Sequence, residues 1–438
     1  MAKVCLISLG CAKNLIDSEQ MLSALTGAGY EITDDPSEAD AAVVNTCAFI
    51  ESAKSEAIEN IITMGEYKKN GCLKKLVVTG CLAQRYQDEL MREMPEIDAM
   101  CGTGSYLEIV NAITGKDGKT AYFDDINAPI SEEGRTVSTG PGWAYIKIAE
   151  GCSNNCAYCV IPKIRGKYRS RPKESILAEA NALAECGVKE LIIVAQDPTR
   201  YGSDLYGHLA LAELLRELVK IDGIQWIRLH YLYPDAMTDE LISLIANEPK
   251  ILKYLDIPIQ HINDTILKKM RRRGTGSEIR SLFQELRKRI PGLVLRTSVI
   301  TGLPGEGEAE FTELCNFLRE SKIERAGVFP YSPEEGTAAY HMERPDTETA
   351  QRRAEMISDI QSRIMDDFNE SRVDTVTRVL CEGFDRETNL YIGRSFAESP
   401  DVDGVIYFSG QDLIPGKFYD VILRGELFGD MAGECVET

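Results

Sequence analysis

Between Gly151 and Cys159 the chain reads Gly-Cys-Ser-Asn-Asn-Cys-Ala-Tyr-Cys, which sets Cys152, Cys156 and Cys159 at C-x3-C-x2-C spacing in one short loop. Thiolates this near in sequence can converge on a single centre. No fourth Cys or His lies close by; Cys186 and His208 come next, beyond an expected helix. A structural zinc site is closed by four ligands, usually as two paired sets. An iron–sulfur cube can be held by three thiolates and keep one iron open to a substrate. Three structural cysteines that meet by accident are the remaining reading.

A chain of 438 residues is long enough for about three domains of ~100–200 residues. With 44% hydrophobic and 27% charged residues it reads as globular and water-soluble, and no apolar run approaches the ~18 residues that span a bilayer. The first residues enter a strand at once and carry no leader-peptide cleavage pattern, so the expected compartment is the cytoplasm. Thirteen cysteines in such a chain point to metal or catalysis rather than disulfides. The formal charge, 49 − 69 = −20, makes a poor generic nucleic-acid binder and favours a basic partner.

Residues 1–135 alternate β-rich apolar runs with amphipathic helical patterns, which predicts a parallel-sheet α/β domain. The runs predict strands at Val4–Leu9, Ala41–Asn45 and Lys75–Thr79, with weaker ones near Ile97–Cys101 and Ala121–Phe123. Helices are expected over Asp17–Leu25 and Ser52–Met64. Cys11, Cys47 and Cys81 each follow one of the three stronger strands. The carboxyl ends of parallel strands line a common crevice, and helix N-termini there favour thiolates. The three therefore form a second candidate three-thiol site, although cysteines so far apart in sequence can also be unrelated. Cys5 and Cys101 read as core, Cys72 as loop, and Cys186 and Cys315 as helix packing residues.

After a link at Val137–Gly142, residues 138–370 carry six strand–helix units. Their strands are expected at Trp143–Ala149, Glu190–Ala195, Gln225–His230, Leu252–Ile257, Val294–Ile300 and Arg325–Phe329, an open six-stranded (β/α) partial barrel. Function in such barrels collects at the carboxyl ends of strands. There stand the cysteine loop, Gln196, His230, Gln260, His261 and the turn from Thr301 to Gly307. The histidines read equally as satisfied structural groups. Six Lys/Arg between Lys163 and Lys173, and five between Lys268 and Arg273, are by default solvated faces. Arg165, Arg169 and Arg171 could instead hold carboxylates, since guanidinium suits bidentate pairing. From residue 371 to 438 short alternating runs separated by turn residues predict about five strands in a small β-barrel. This segment has 6 Lys/Arg against 13 Asp/Glu, a net of −7.

The strings Ser-Leu-Gly-Cys-Ala-Lys-Asn, Asn-Thr-Cys-Ala-Phe-Ile-Glu-Ser-Ala and Thr-Gly-Cys-Leu-Ala-Gln-Arg-Tyr, together with the cysteine loop and its Tyr158, resemble the radical S-adenosylmethionine (SAM) methylthiotransferases over nearly the whole chain. Three further strings are similar to the branch acting on an aspartate of small-subunit ribosomal protein twelve: Arg-Leu-His-Tyr-Leu-Tyr-Pro, Asp-Ile-Pro-Ile-Gln-His-Ile and Gln-Asp-Pro-Thr-Arg-Tyr-Gly-Ser-Asp-Leu-Tyr-Gly. Pro198 stands where that branch usually has Thr.

The resemblance implies two 4Fe–4S clusters, one on Cys152, Cys156 and Cys159 and an auxiliary one on Cys11, Cys47 and Cys81. It implies that S-adenosyl-L-methionine is cleaved to a deoxyadenosyl radical, which abstracts hydrogen from the substrate before sulfur insertion. It also implies a SAM-binding part for Thr297, Gly302 and Gly305, a TRAM-like C-terminal barrel, and a flavodoxin- or ferredoxin-like donor. A cluster reducing at roughly −400 mV or below needs such a donor. The acidic C-terminal segment speaks against direct tRNA contact. The alternatives are a tRNA adenosine methylthiotransferase and a non-enzymatic iron–sulfur carrier.

Overall fold

The computed structural model describes residues 2–115 and 118–436. By internal contacts the chain divides into two units. One comprises Met1–Ser138, Lys147–Ser175 and Ser332–Tyr340; the other comprises Thr139–Ile146, Ile176–Tyr331 and His341–Thr438. The cysteine loop thus belongs to the same unit as the N-terminal segment, which its position in sequence does not foretell.

The first unit is built on a six-stranded sheet. Its strands are β1 (Lys3–Ser8), β2 (Glu31–Ile32), β3 (Ala41–Thr46), β4 (Lys75–Gly80), β5 (Ala99–Cys101) and β6 (Thr120–Tyr122), in the order β2-β1-β3-β4-β5-β6. Every neighbouring pair is parallel. The two-residue β2 is too short to leave a periodic trace in sequence. Side chains alternate across the sheet, as strand geometry requires. Val4, Ala41, Val43 and Val77 pack on one face with Met21 and Leu25 of helix α1 (Ala12–Gly27). Cys5, Ala42, Val44, Leu76 and Val78 pack on the other. There they meet Ala57, Ile61 and Met64 of α2 (Glu51–Lys69) and Leu82 and Leu90 of α3 (Cys81–Glu93). A sheet buried on both faces explains the near-continuous apolar runs. Both expected helices are present and longer: α1 starts five residues before Asp17, and α2 runs five beyond Met64.

In the second unit the sheet runs from Trp143–Lys147 through Glu190–Val194, Trp226–Leu229, Ile251–Asp256 and Val294–Thr301 to Arg325–Pro330, in chain order. The pairs from Glu190–Val194 onward are parallel. The sheet is open, and its six strands match the expected six βα units. The expected first strand is divided, since Ala149–Glu150 pairs instead with Arg169–Ser170 as a separate two-stranded ladder of the first unit. The C-terminal segment closes into a five-stranded barrel of Val376–Asp385, Leu390–Arg394, Ile406–Ser409, Phe418–Leu427 and Asp430–Cys435. Its core holds Val379, Cys381, Ile406, Phe408, Val421 and Leu423.

Candidate functional site

Cys11, Cys47 and Cys81 follow three adjacent parallel strands. Cys11 is the residue before α1, Cys47 lies one residue beyond β3, and Cys81 opens α3 directly from β4. The register pairs Ser8 with Asn45 and Thr46 with Gly80, so the three strands end level. Two glycines make the approach possible. Gly10 has φ +91°, and a Cβ there would stand 2.8 Å from Cys47 Cβ and 3.1 Å from its sulfur. Gly80 has φ +90°, and its Cβ would meet Asn45 Oδ1 at 2.3 Å. Any other residue at either place is both strained and in collision.

A polar lattice joins the strand ends. The buried Asn14 side chain donates to Leu9 O at 2.9 Å and to Thr46 O at 2.8 Å, and its Oδ1 is 3.7 Å from the Cys81 sulfur. Asn45 Nδ2 donates to Asn14 O and to Ser18 Oγ, each at 2.8 Å.

The loop of Cys152, Cys156 and Cys159 is closed at its base by the ladder of Ala149–Glu150 with Arg169–Ser170. Cys152 N–H donates to Gly166 O, and Cys159 N–H to Cys156 O, each at 3.1 Å. Cys152 and Cys156 are buried, while Cys159 and Tyr158 are half-buried. Ala339 N–H donates to Ala157 O at 2.8 Å, and Glu334 is held by Arg85 at 2.6 Å and Lys54 at 3.1 Å. These contacts bring the Ser332–Tyr340 segment into this unit.

After the loop comes the short helix Ile161–Arg165, whose Val160 and Ile164 join the core of α2 and α3. That packing delivers Arg165. Its Nη1 donates to Asp17 at 2.7 Å and Glu150 at 3.1 Å; its Nη2 donates to Asn14 Oδ1 and to the Cys81 sulfur at 3.7 Å. Lys147 completes the group, with Nζ 2.7 Å from Asp17 and 2.9 Å from Glu150. Asp17, Lys147, Glu150 and Arg165 are all buried, two cations against two carboxylates. Buried charges persist only when paired in this way.

These partners set the thiols. Cys11 is exposed as a residue; the chain packed about its sulfur would raise the thiol, but the Lys13 and Arg165 charges and the Asn14 and Lys13 amides outweigh that, and its pKa lies below the ordinary thiol value. Burial raises Cys47, with the Cys11 charge adding to it. Burial pushes Cys81 up to about 12 against the opposing pull of Arg165. A cluster must therefore supply its own charge to ionise Cys47 and Cys81, as bound metals do.

Among the described residues no three His, Cys, Asp or Glu side chains are grouped to chelate one ion. A cube binds its thiolates through separate irons, further apart than the ligands of one ion. The donors fit such a group: three thiols at level strand ends, glycines where Cβ atoms would intrude, and a guanidinium beside one sulfur.

The remaining residues fall as follows. Arg165 and Arg171 are not on a solvated face. They are 3% and 7% exposed, and Arg171 is held by Glu132 at 3.0 Å and donates to Lys147 O at 2.7 Å. Cys186 is exposed, not a packing residue, because its helix ends at Glu185 and leaves it in the turn that leads into Gly187. Gln196 is half-buried after its strand. His230 is buried with Nε2 2.7 Å from Ser399 Oγ. Thr297 accepts from Ile259 N–H and donates to Ile257 O. Gln260 carries φ +69° and bridges to Val299.

His261 Nδ1 accepts from Asn263 N–H at 3.0 Å, so the ring proton sits on Nε2, which faces Glu306 at 3.4 Å. Gly302 packs against Ala350 and donates to Glu306 at 2.9 Å, while Gly305 lies against Lys269. Sequence reasoning missed Asn14, Asp17, Lys147 and Glu150. The last two had a signal, a lysine and a glutamate inside the apolar run that begins at Trp143.

Residues 3–102 match the family described as uncharacterized protein family UPF0004, 146–318 the radical SAM superfamily and 373–436 the TRAM domain. The ribosomal protein uS12 methylthiotransferase RimO of Pelobacter propionicus is 48% identical over 99% of this chain and 98% of its own length. That of Caldanaerobacter subterraneus subsp. tengcongensis is 49% identical over 99% and 100%. Among solved structures, the radical S-adenosylmethionine methyltransferase TsrM from Kitasatospora setae aligns over 78% of this chain and 77% of its own, with a TM-score of 0.57 at 17% identity. The cobalamin-dependent S-adenosylmethionine radical enzyme OxsB aligns over 82% and 56%, with a TM-score of 0.51 at 14% identity. These two show a shared fold.

Proposed function

The chain belongs to the ribosomal protein uS12 methylthiotransferase (RimO) family of radical SAM enzymes, and from that premise we propose that it adds a methylthio group to the β-carbon of an aspartate of uS12. We assign two 4Fe–4S clusters, one to Cys152, Cys156 and Cys159 and the other to Cys11, Cys47 and Cys81. We propose three modules, 1–135, 138–370 and 371–438, on the support of family matches within each, at residues 3–102, 146–318 and 373–436. Bound there, the clusters and SAM would supply one-electron cleavage of SAM and a sulfur donor to an unactivated carbon, which acid–base chemistry with ordinary side chains cannot functionalise.

The chain's own residues bind and order. Asn14 and Asn45 hold the strand ends level, and the Asp17–Lys147–Glu150–Arg165 group fixes the base of the cysteine loop against α1. Burial of these groups restricts water, which would quench a radical. Tyr158, Gln196, Gln260, His261, Gly302 and Gly305 are proposed to line the SAM site. Thr297 and His230 would back it, since their side chains are engaged within the fold.

We place the reaction in the cytoplasm, with a flavodoxin- or ferredoxin-like donor and no direct tRNA substrate. No described helix is long and apolar enough to cross a membrane. The observation that carries the reading is the arrangement of Cys11, Cys47 and Cys81 at the level ends of three adjacent strands. The test is mass measurement of uS12 after turnover with the reconstituted chain, with Cys11→Ala and Cys156→Ala controls. A modified tRNA nucleoside with unmodified uS12 would overturn it, and so would absence of deoxyadenosine from the reduced chain given SAM.

A further inference from the structure

Arg165 lies outside both cysteine sets, yet its guanidinium reaches a sulfur of the first set from the helix that follows the second. Its guanidinium is spent. Nη1 serves Asp17 and Glu150, Nη2 serves Asn14 and Cys81, and only 3% of the residue is exposed. A group so engaged has no free fork for the carboxylate of a small ligand. Asn14, which shares Nη2 with the sulfur, also carries the carbonyls of Leu9 and Thr46, two residues before Cys11 and one before Cys47. One residue is thus linked to the backbone of two of the thiols and to the sulfur of the third.

We propose that Arg165 is a positioning residue of the Cys11/Cys47/Cys81 centre: it donates to the Cys81 sulfur, fixes the three thiols through Asn14, and raises the reduction potential of the cluster they hold. This rests on the reading that those three cysteines bind a cluster. Reduction adds an electron to an anionic centre, and a cation in a dry setting stabilises the product more than the reactant. Hydrogen bonds to sulfur act in the same direction. Lys147 cannot substitute, because its ammonium is bound between Asp17 and Glu150.

The experiment uses the full chain, reconstituted with iron and sulfide, as wild type, Arg165→Gln and Arg165→Lys. Iron content, circular dichroism and redox titration followed by electron paramagnetic resonance are measured on each. In the Gln variant the auxiliary signal is expected to shift at least tenfold toward the oxidised form at fixed potential, about 59 mV for one electron, with the other cluster unmoved. The Lys variant, which keeps the charge, is expected to stay within about threefold of wild type. A folded, iron-replete Gln variant that titrates like wild type overturns the proposal. If the Gln variant does not fold, the Lys variant decides: a tenfold shift with the charge retained overturns it, and a wild-type titration supports it. Failure of the underlying reading looks different, since a Cys11/Cys47/Cys81→Ala chain would then keep the iron and both signals of the wild type.

Discussion

Arg165 Nη2 lies 3.7 Å from the sulfur of Cys81, a residue 84 positions earlier in the chain. The contact ties the helix after the second cysteine loop to the strand end that carries the first cysteine set. It is made possible by Ile164, which sinks into the apolar core beneath α3. Packing energy there fixes the guanidinium with an accuracy that an exposed arginine would not have.

The two cysteine sets should separate by chemistry. Alanine at Cys152, Cys156 or Cys159 is expected to abolish deoxyadenosine formation from SAM. Alanine at Cys11, Cys47 or Cys81 is expected to remove about half of the bound iron and to stop methylthio transfer while leaving SAM cleavage. Iron assay and chromatography of the SAM products check both.

Gly10 and Gly80 each combine a positive φ with a neighbour inside van der Waals distance. Gly10→Ala and Gly80→Ala should each cost more than about 1 kcal/mol, the scale of backbone strain at incompatible positions. Reconstituted iron should fall with them. Thermal unfolding and iron content of the two variants give the answer, with Gly29→Ala as a control for strain alone, since a Cβ there meets nothing within 4 Å.

Asp17 pairs with Lys147 at 2.7 Å and with Arg165 at 2.7 Å, all three buried. Removing one partner leaves an uncompensated charge, at a cost of about 3–5 kcal/mol. Asp17→Asn should therefore destabilise the first unit strongly. Asp17→Asn combined with Lys147→Met should recover part of the loss, seen as a higher unfolding midpoint than the single variant.

Glu398 gives the second unit an acid limit. Burial alone would raise its carboxyl, but Arg372, Arg325 and the Ser395 hydroxyl outweigh it and hold its pKa down to about 2. A depressed carboxylate contributes stability that is full above its unfolded value near 4.5 and is lost as pH falls toward 2. The shift corresponds to roughly 3 kcal/mol. The unfolding midpoint of the wild type should fall between pH 5 and 2, and the same curve for Glu398→Gln should start lower and be flatter.

Sequence alone determined the elements and the chemistry. Period-two and helical patterning gave the strands after which Cys11, Cys47 and Cys81 fall, and the spacing of Cys152, Cys156 and Cys159 marked a candidate centre, because local spacing bounds the distance between thiols. What the sequence could not determine was which side chains meet across long separations. The tertiary fold decided that strand order places β1, β3 and β4 side by side, that the cysteine loop folds with the N-terminal sheet, and that Arg165 turns inward to Asp17, Glu150 and Cys81. Those outcomes depend on the burial of Ile164 and on the pairing of charges, and neither has a period along the chain.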